Sequence, residues 1–93
     1  MKILKNLRSL KKINSKYKDK TIGMCHGVFD LLHEGHIEHF SYAKKKVKIL
    51  LVSITDDKYV NKGPNKPYNN SLKRAKVLSA LKDIDFVYIN KSP

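Results

Sequence analysis

The sequence predicts an α/β fold built on a Rossmann-like parallel sheet. Three observations carry that expectation. Short apolar runs alternate with segments of helical periodicity, in the order β-α-β-α-β after a leading helix. The run Ile49-Leu50-Leu51-Val52 is apolar at consecutive positions, as a parallel strand covered on both faces requires. The first strand also runs into its helix through a turn, Gly27 to His36, with a glycine near each end, an acid in the middle and two histidines at the helix mouth. Strands alternating with helices imply right-handed crossovers, so this order is one mononucleotide-binding half of a doubly wound sheet.

The leading segment comes first. Leu4, Leu7 and Leu10 recur at helical spacing among lysines, which predicts a short basic helix over residues 2–13. Two readings stand for it: a lead-in helix with its lysines in water, or an electrostatic arm for a membrane or nucleic acid. Asn14 to Lys20 is polar and linker-like, so residues 1–19 form a leading segment and 20–93 the domain. Thr21 to His26 is the first strand. Ile37, Phe40, Ala43 and Val47 then recur at helical spacing, and Lys44-Lys45-Lys46 suits the negative end of that helix. Val47 to Ile54 is the second strand. Lys58 to Asn70 reads as a long basic loop with Gly63, Pro64 and Pro67, of the kind that is either a functional lid or disordered. Asn70 or Ser71 can cap a second helix over Leu72 to Leu81, with Leu72, Ala75, Leu78 and Leu81 inward. Phe86 to Ile89 is the third strand.

Composition narrows the partners. The 93 residues suffice for one small domain, and the formal charge is +12 from 20 Lys and Arg against 8 Asp and Glu. Such a surface attracts anions. Only Arg8 and Arg74 are arginines, and specific nucleic-acid readers lean on arginine, so nucleic acid is not the expected partner. The single cysteine, Cys25, forms no internal disulfide and fits a reducing compartment. No apolar run reaches the roughly 18 residues of a membrane span, and the expectation is a cytoplasmic protein.

Several chemistries are excluded by spacing. His26, His33, His36 and His39 lie within fourteen positions, yet the His-Glu-x-x-His zinc pattern fails because Ile37 stands where the second histidine belongs. No metal site is therefore expected. The turn is neither Gly-x-Gly-x-x-Gly nor a Walker loop. Cys25 is expected to be a buried, inert thiol. What remains is an anion site: a helix N-terminus presents free N–H groups and a partial positive charge, and two histidines can add donors.

Gly27-Val28-Phe29-Asp30 followed by His33-x-Gly35-His36 resembles the signature of the nucleotidyltransferase superfamily of cytidylyl- and adenylyltransferases. The aspartate-ended second strand, Lys62-Gly63-Pro64-x-x-Pro67 and Leu72-Lys73-Arg74-Ala75 continue the likeness over roughly residues 20–90. It is strongest to the adenylyltransferase domain of bifunctional heptose-phosphate enzymes, then to glycerol-3-phosphate cytidylyltransferase. The resemblance implies transfer of CMP or AMP from CTP or ATP to a sugar- or polyol-phosphate, with release of pyrophosphate and with Mg²⁺. It implies roles for particular residues. His33 and His36 would hydrogen-bond the triphosphate, and Lys62 would close over it. Val28 and Phe29 would line the nucleotide through their backbone, Gly35 would let phosphate approach, and Arg74 would add charge. Asp30 would orient the turn or the incoming substrate, or simply stabilise the turn, and Asp57 has the same ambiguity.

The chain also departs from the family. Lys66 stands where an arginine is usual, weakening bidentate phosphate binding there. The C-terminal half of the family fold, with its Ser/Thr-rich phosphate motif, has no counterpart in these residues, so a cut-off chain or a fused partner segment is expected. A homodimer is compatible with the same pattern. The competing expectations are a degenerate nucleotide-binding module and a basic nucleic-acid or anionic-surface module without catalysis.

Overall fold

The computed structural model describes residues 2–60 and 67–91. Its elements run β1 (Ile3–Leu4), α1 (Leu7–Lys16), β2 (Ile22–Gly27), α2 (Glu34–Lys44), β3 (Ile49–Thr55), a 3₁₀ turn (Asp57–Tyr59), α3 (Ser71–Ser79) and β4 (Phe86–Asn90). The four strands form one parallel sheet in the order β1-β4-β3-β2. The α/β class and the parallel order are as the sequence predicts.

β3 lies inside the sheet between β4 and β2, which is why its apolar run is continuous. Leu50, Val52 and Ile54 face one side, where they pack with Phe40 of α2, Ala75 and Leu78 of α3, and Val87 and Ile89 of β4. Leu51 and Ser53 face the other side and are also buried. That side is crossed by the connection from β1 to β2, which must travel back over the sheet and, being right-handed, takes the face opposite α2 and α3. Tyr17, at the end of α1, meets Phe86 there with ring centroids 6.0 Å apart. β2 and β1 are the two edge strands among the described residues, and β2 is the longer. An open groove of about 480 Å³ follows β2, lined by residues that include Cys25, His39 and Tyr42.

The leading segment differs from the expected helix over residues 2–13. Ile3 and Leu4 pair with Val87 and Tyr88 of β4, and Leu4 is buried in doing so. The helix starts only at Leu7, because the Asn6 side chain accepts the Ser9 amide at 2.9 Å and so caps it there. It then runs through Asn14 to Lys16, which read as linker. Leu4 therefore belongs to a strand, and its helical spacing to Leu7 and Leu10 is incidental. Smaller shifts occur elsewhere. β3 begins at Ile49 rather than Val47, and β4 extends to Asn90. α3 spans Ser71–Ser79, with Asn70 as its cap through the Lys73 amide at 2.9 Å.

Asp85 closes the side of the domain away from the histidine turn. Its carboxylate takes the Leu50 amide at 2.8 Å and the Lys44 ammonium at 2.6 Å. Lys44 also donates to the Lys48 carbonyl at 2.7 Å. One carboxylate thus joins the end of α2, the start of β3 and the start of β4.

Candidate functional site

The site is built at the C-terminal edge of the parallel sheet, where β2 delivers the chain to α2. Phe29 carries a positive φ of 51°, the one non-glycine residue of this kind among those described. A left-handed backbone costs a non-glycine residue roughly 1–2 kcal/mol. Packing offsets it. The Phe29 ring folds back over Gly27, where a Cβ would stand 2.9 Å from the ring. It also meets His36 edge-on at 5.7 Å and Phe40 at 5.3 Å between centroids. Phe29 is half-buried, so it gains part of the roughly 1.5–3 kcal/mol of a fully buried phenylalanine, and its two aromatic contacts add to that, enough to offset the strain. Gly27 is needed because any side chain there would occupy the ring's place.

The turned chain then enters α2 through a reciprocal cap. His33 is the N-cap, and its Nδ1 accepts the Gly35 amide at 3.1 Å. His36 Nδ1 accepts the His33 amide at 3.2 Å. The two rings lie 4.1 Å apart. A backbone amide can only donate, so both Nδ1 atoms are acceptors and the neutral rings carry their proton on Nε2. Each imidazole is left with one N–H donor at the helix mouth, where the amides of Gly35, His36 and Ile37 already bond to His33. Gly35 has a second role here that the sequence does not show. A Cβ at that position would stand 2.8 Å from His33 Cε1 and 3.0 Å from its Nδ1.

His36 has its pKa lowered, by desolvation first and then by the nearby charges of His33 and His39. It therefore stays neutral, with Nδ1 available to the cap, at pH values where a free imidazole begins to charge. Cys25 is half-buried rather than fully buried. Its burial raises the thiol pKa, and its Sγ lies 3.6 Å from His39 Nε2. His26 Nδ1 meets the buried Ser53 hydroxyl at 3.0 Å. Among the described residues no group of three or more His, Cys, Asp or Glu could hold a metal ion.

Asp30 and Arg74 brace the turn from behind. The Asp30 carboxylate accepts the amides of Tyr68 and Asn69, at 2.5 and 2.8 Å, and Asn69 Nδ2 donates back to the Asp30 carbonyl at 3.2 Å. Arg74 is 1% exposed. Its Nη1 donates to the Val28 carbonyl at 2.9 Å, its Nε to the Asn69 carbonyl at 3.0 Å, and its Nη2 to Asp57 at 2.6 Å. The guanidinium is buried but the Asp57 side chain is 41% exposed, so solvent screens the ion pair and the hold on the turn comes mainly from the hydrogen bonds to the Val28 and Asn69 carbonyls, each contributing roughly 1.5–3 kcal/mol from a charged donor. The guanidinium that the resemblance cast as added charge for the nucleotide is thus matched by Asp57 and directed at the turn's own backbone. Asp57, whose role the sequence left open, is its counter-ion.

The structure accordingly gathers Val28, Phe29, Asp30, His33, Gly35, His36 and Arg74 around one turn. Lys62 lies outside the described residues. Sequence reasoning missed Asn69, which links Asp30 to Arg74 and which it placed only inside the long loop from Lys58 to Asn70.

Two outcomes follow from the cap. In Gly35→Ala the His33 ring must swing away from the helix mouth. Loss of the cap costs about 1 kcal/mol, and replacing a helical glycine by alanine returns about as much. Global stability by urea denaturation should change little, while hydrogen exchange at the residue-35 amide becomes clearly faster. The pH dependence has a fixed sign. Between the lowered folded value of His36 and the usual value of about 6.5, the unfolded chain binds more protons. Stability therefore falls as pH drops through that window and is fully retained above it. Thermal unfolding followed against pH should show the decline, and His36→Gln should flatten it.

The Cytidylyltransferase-like family model matches residues 24–92. The chain is 38% identical over 90 residues to the bifunctional protein HldE of Desulfatibacillum aliphaticivorans, covering 92% of this chain and 18% of that protein. It is 43% identical over 72 residues to the bifunctional protein HldE of Campylobacter fetus subsp. fetus, covering 75% of this chain and 16% of that one. It therefore spans less than a fifth of the length of these curated relatives. The crystal structure of the lipopolysaccharide core biosynthesis protein from Thermoplasma volcanium GSS1 superposes with a TM-score of 0.71 at 29% identity, covering 77% of this chain and 59% of that one. With the matched segment running from the strand before the histidine turn to the end of β4, the chain belongs to the cytidylyltransferase-like family.

Proposed function

We propose that this chain supplies the triphosphate grip of a nucleotidyl transfer reaction. A phosphate oxygen of a sugar- or polyol-phosphate attacks the α-phosphorus of CTP or ATP. The bond from that phosphorus to the pyrophosphate oxygen breaks, and pyrophosphate leaves. The observation that carries the reading is the reciprocal cap: with both Nδ1 atoms committed to backbone amides, His33 and His36 offer Nε2–H donors side by side at a helix N-terminus. Charge that builds on the phosphate oxygens in the transition state is stabilised by donors already in place.

The remaining residues divide by what they touch. Val28 and Phe29 present backbone to the nucleotide, and Gly35 leaves room at the helix mouth. Asp30 and Arg74 act as positioning residues, holding the turn through Asn69 and the Val28 carbonyl. Lys62 is proposed to approach the phosphates from the loop before α3. Mg²⁺ would arrive on the triphosphate, which it binds through phosphate oxygens and water, and would neutralise charge there. The catalytic unit is residues 20–93, to which the Ile3–Leu4 strand adds an edge. The partners are a nucleoside triphosphate and a phosphorylated sugar or polyol. Among the described residues no helix is long and apolar enough to cross a membrane, and the proposed compartment is the cytoplasm.

The test is pyrophosphate release from the full chain with ATP or CTP, Mg²⁺ and a panel of sugar and polyol phosphates. His36→Ala should lower kcat by about 10²–10³-fold, the usual loss for one transition-state donor. Nucleotide binding without release on any acceptor would make the chain a binding module, and an unchanged rate in His36→Ala would remove the histidine from the mechanism.

A further inference from the structure

Helix α1 carries a face that the histidine turn does not use. Arg8, Lys11, Lys12 and Ser15 follow the i, i+3, i+4, i+7 spacing and lie together, lining a shallow groove of about 450 Å³ with Leu7. All are exposed, and Leu7 is 54% exposed although apolar. Ser9, Leu10 and Ile13, on the other side of the helix, are partly covered, and no residue of α1 is buried. The helix contains no acid at all. Like charges at these spacings repel and weaken a helix, and nothing on α1 offsets them.

The charge is also concentrated. Residues 2–20 carry eight cations against the single acid Asp19, which is more than half of the chain's net +12 in about a fifth of its length. A lysine-rich composition alone would spread the excess evenly.

We propose that this face seats the protein on an anionic lipid bilayer. A basic helix with one polar, charged side and an exposed leucine at its first turn suits a headgroup surface. Lysines stand over lipid phosphates while Leu7 enters the interface. RNA is the less fitting polyanion. Arg8 is the one arginine of the face, and the face carries no aromatic ring on which a base could stack. The orientation follows from the topology. α1 leaves the C-terminal end of β1, and β1 is parallel to the strands that deliver the histidine turn. The Leu7 end of the helix is therefore at the same sheet edge as His33 and His36, so seating through α1 holds that edge beside the membrane. The inference stands independently of nucleotidyl transfer.

Co-sedimentation of the full chain with vesicles tests it. One set is phosphatidylcholine alone, the other phosphatidylcholine mixed with phosphatidylglycerol. The protein should bind the mixed vesicles, fail to bind the neutral ones, and come off as salt is raised. Each basic residue near an anionic surface contributes about fivefold, so R8Q/K11Q/K12Q should weaken binding about a hundredfold. K73Q/K76Q/K82Q, the same charge change at exposed positions on and just after α3, should stay within a few-fold of wild type. Circular dichroism checks that both variants keep the fold, and the salt dependence of the wild-type chain tests the idea without any variant. Absence of binding to the mixed vesicles, equal losses in the two triple variants, or tighter binding to RNA than to the vesicles would each overturn the proposal.

Discussion

The Phe29 ring lying on Gly27 is the contact on which the rest of the site depends. The backbone must turn sharply to leave β2 and enter α2, and it does so through a left-handed Phe29. Such a conformation persists only where its surroundings over-determine it. Here the missing Cβ of Gly27 makes the seat, Phe40 fixes the ring from α2, and His36 meets it edge-on. The residue that strains the turn is thus also the one that places His36. Glycine at position 29 would relieve the strain, which comes from the Cβ, but lose the contact that orients the imidazole.

A second layer holds the turn from behind, and it is polar. Arg74 reaches from α3 to the Val28 carbonyl, and Asp30 reaches to the amides just before α3. Asn69 belongs to both systems. The two helices that follow β2 and β3 are therefore coupled at the sheet edge that bears the histidine turn by hydrogen bonds and, deeper in, by Phe40, Ala75 and Leu78. No buried side-chain nitrogen or oxygen among the described residues lacks a partner. A fully satisfied network of this kind is rigid, which is what preorganised donors need.

Much of this was legible in the sequence, for identifiable reasons. β3 announces itself because an interior strand of a parallel sheet is apolar on both faces, and β2 and β4 because short apolar runs alternate with helical segments. His33, Gly35 and His36 stand out because a helix mouth with two histidines has an obvious use for anions. β1 was hidden: two apolar residues are too few to show a period, and Leu4 happens to fall in helical register with Leu7 and Leu10. Arg74 was misleading for a different reason. Locally it is a cation on an amphipathic helix, and only the fold brings Asp57, the Val28 carbonyl and the Asn69 carbonyl around it. The tautomer of the histidine pair was equally invisible, since it is set by backbone amides and not by residue type.

The central claim is that His33 and His36 are held with Nδ1 on the backbone and Nε2–H toward the triphosphate. Long-range ¹⁵N–¹H correlation spectra of the two imidazoles, taken at neutral pH with and without Mg²⁺ and a nucleoside triphosphate, test it most directly. The account predicts the Nε2–H tautomer for both rings in the free protein, with the nucleotide shifting the Nε2 signals and leaving the Nδ1 signals nearly in place. Rings that carry their proton on Nδ1, or Nε2 signals indifferent to nucleotide that is demonstrably bound, would contradict it.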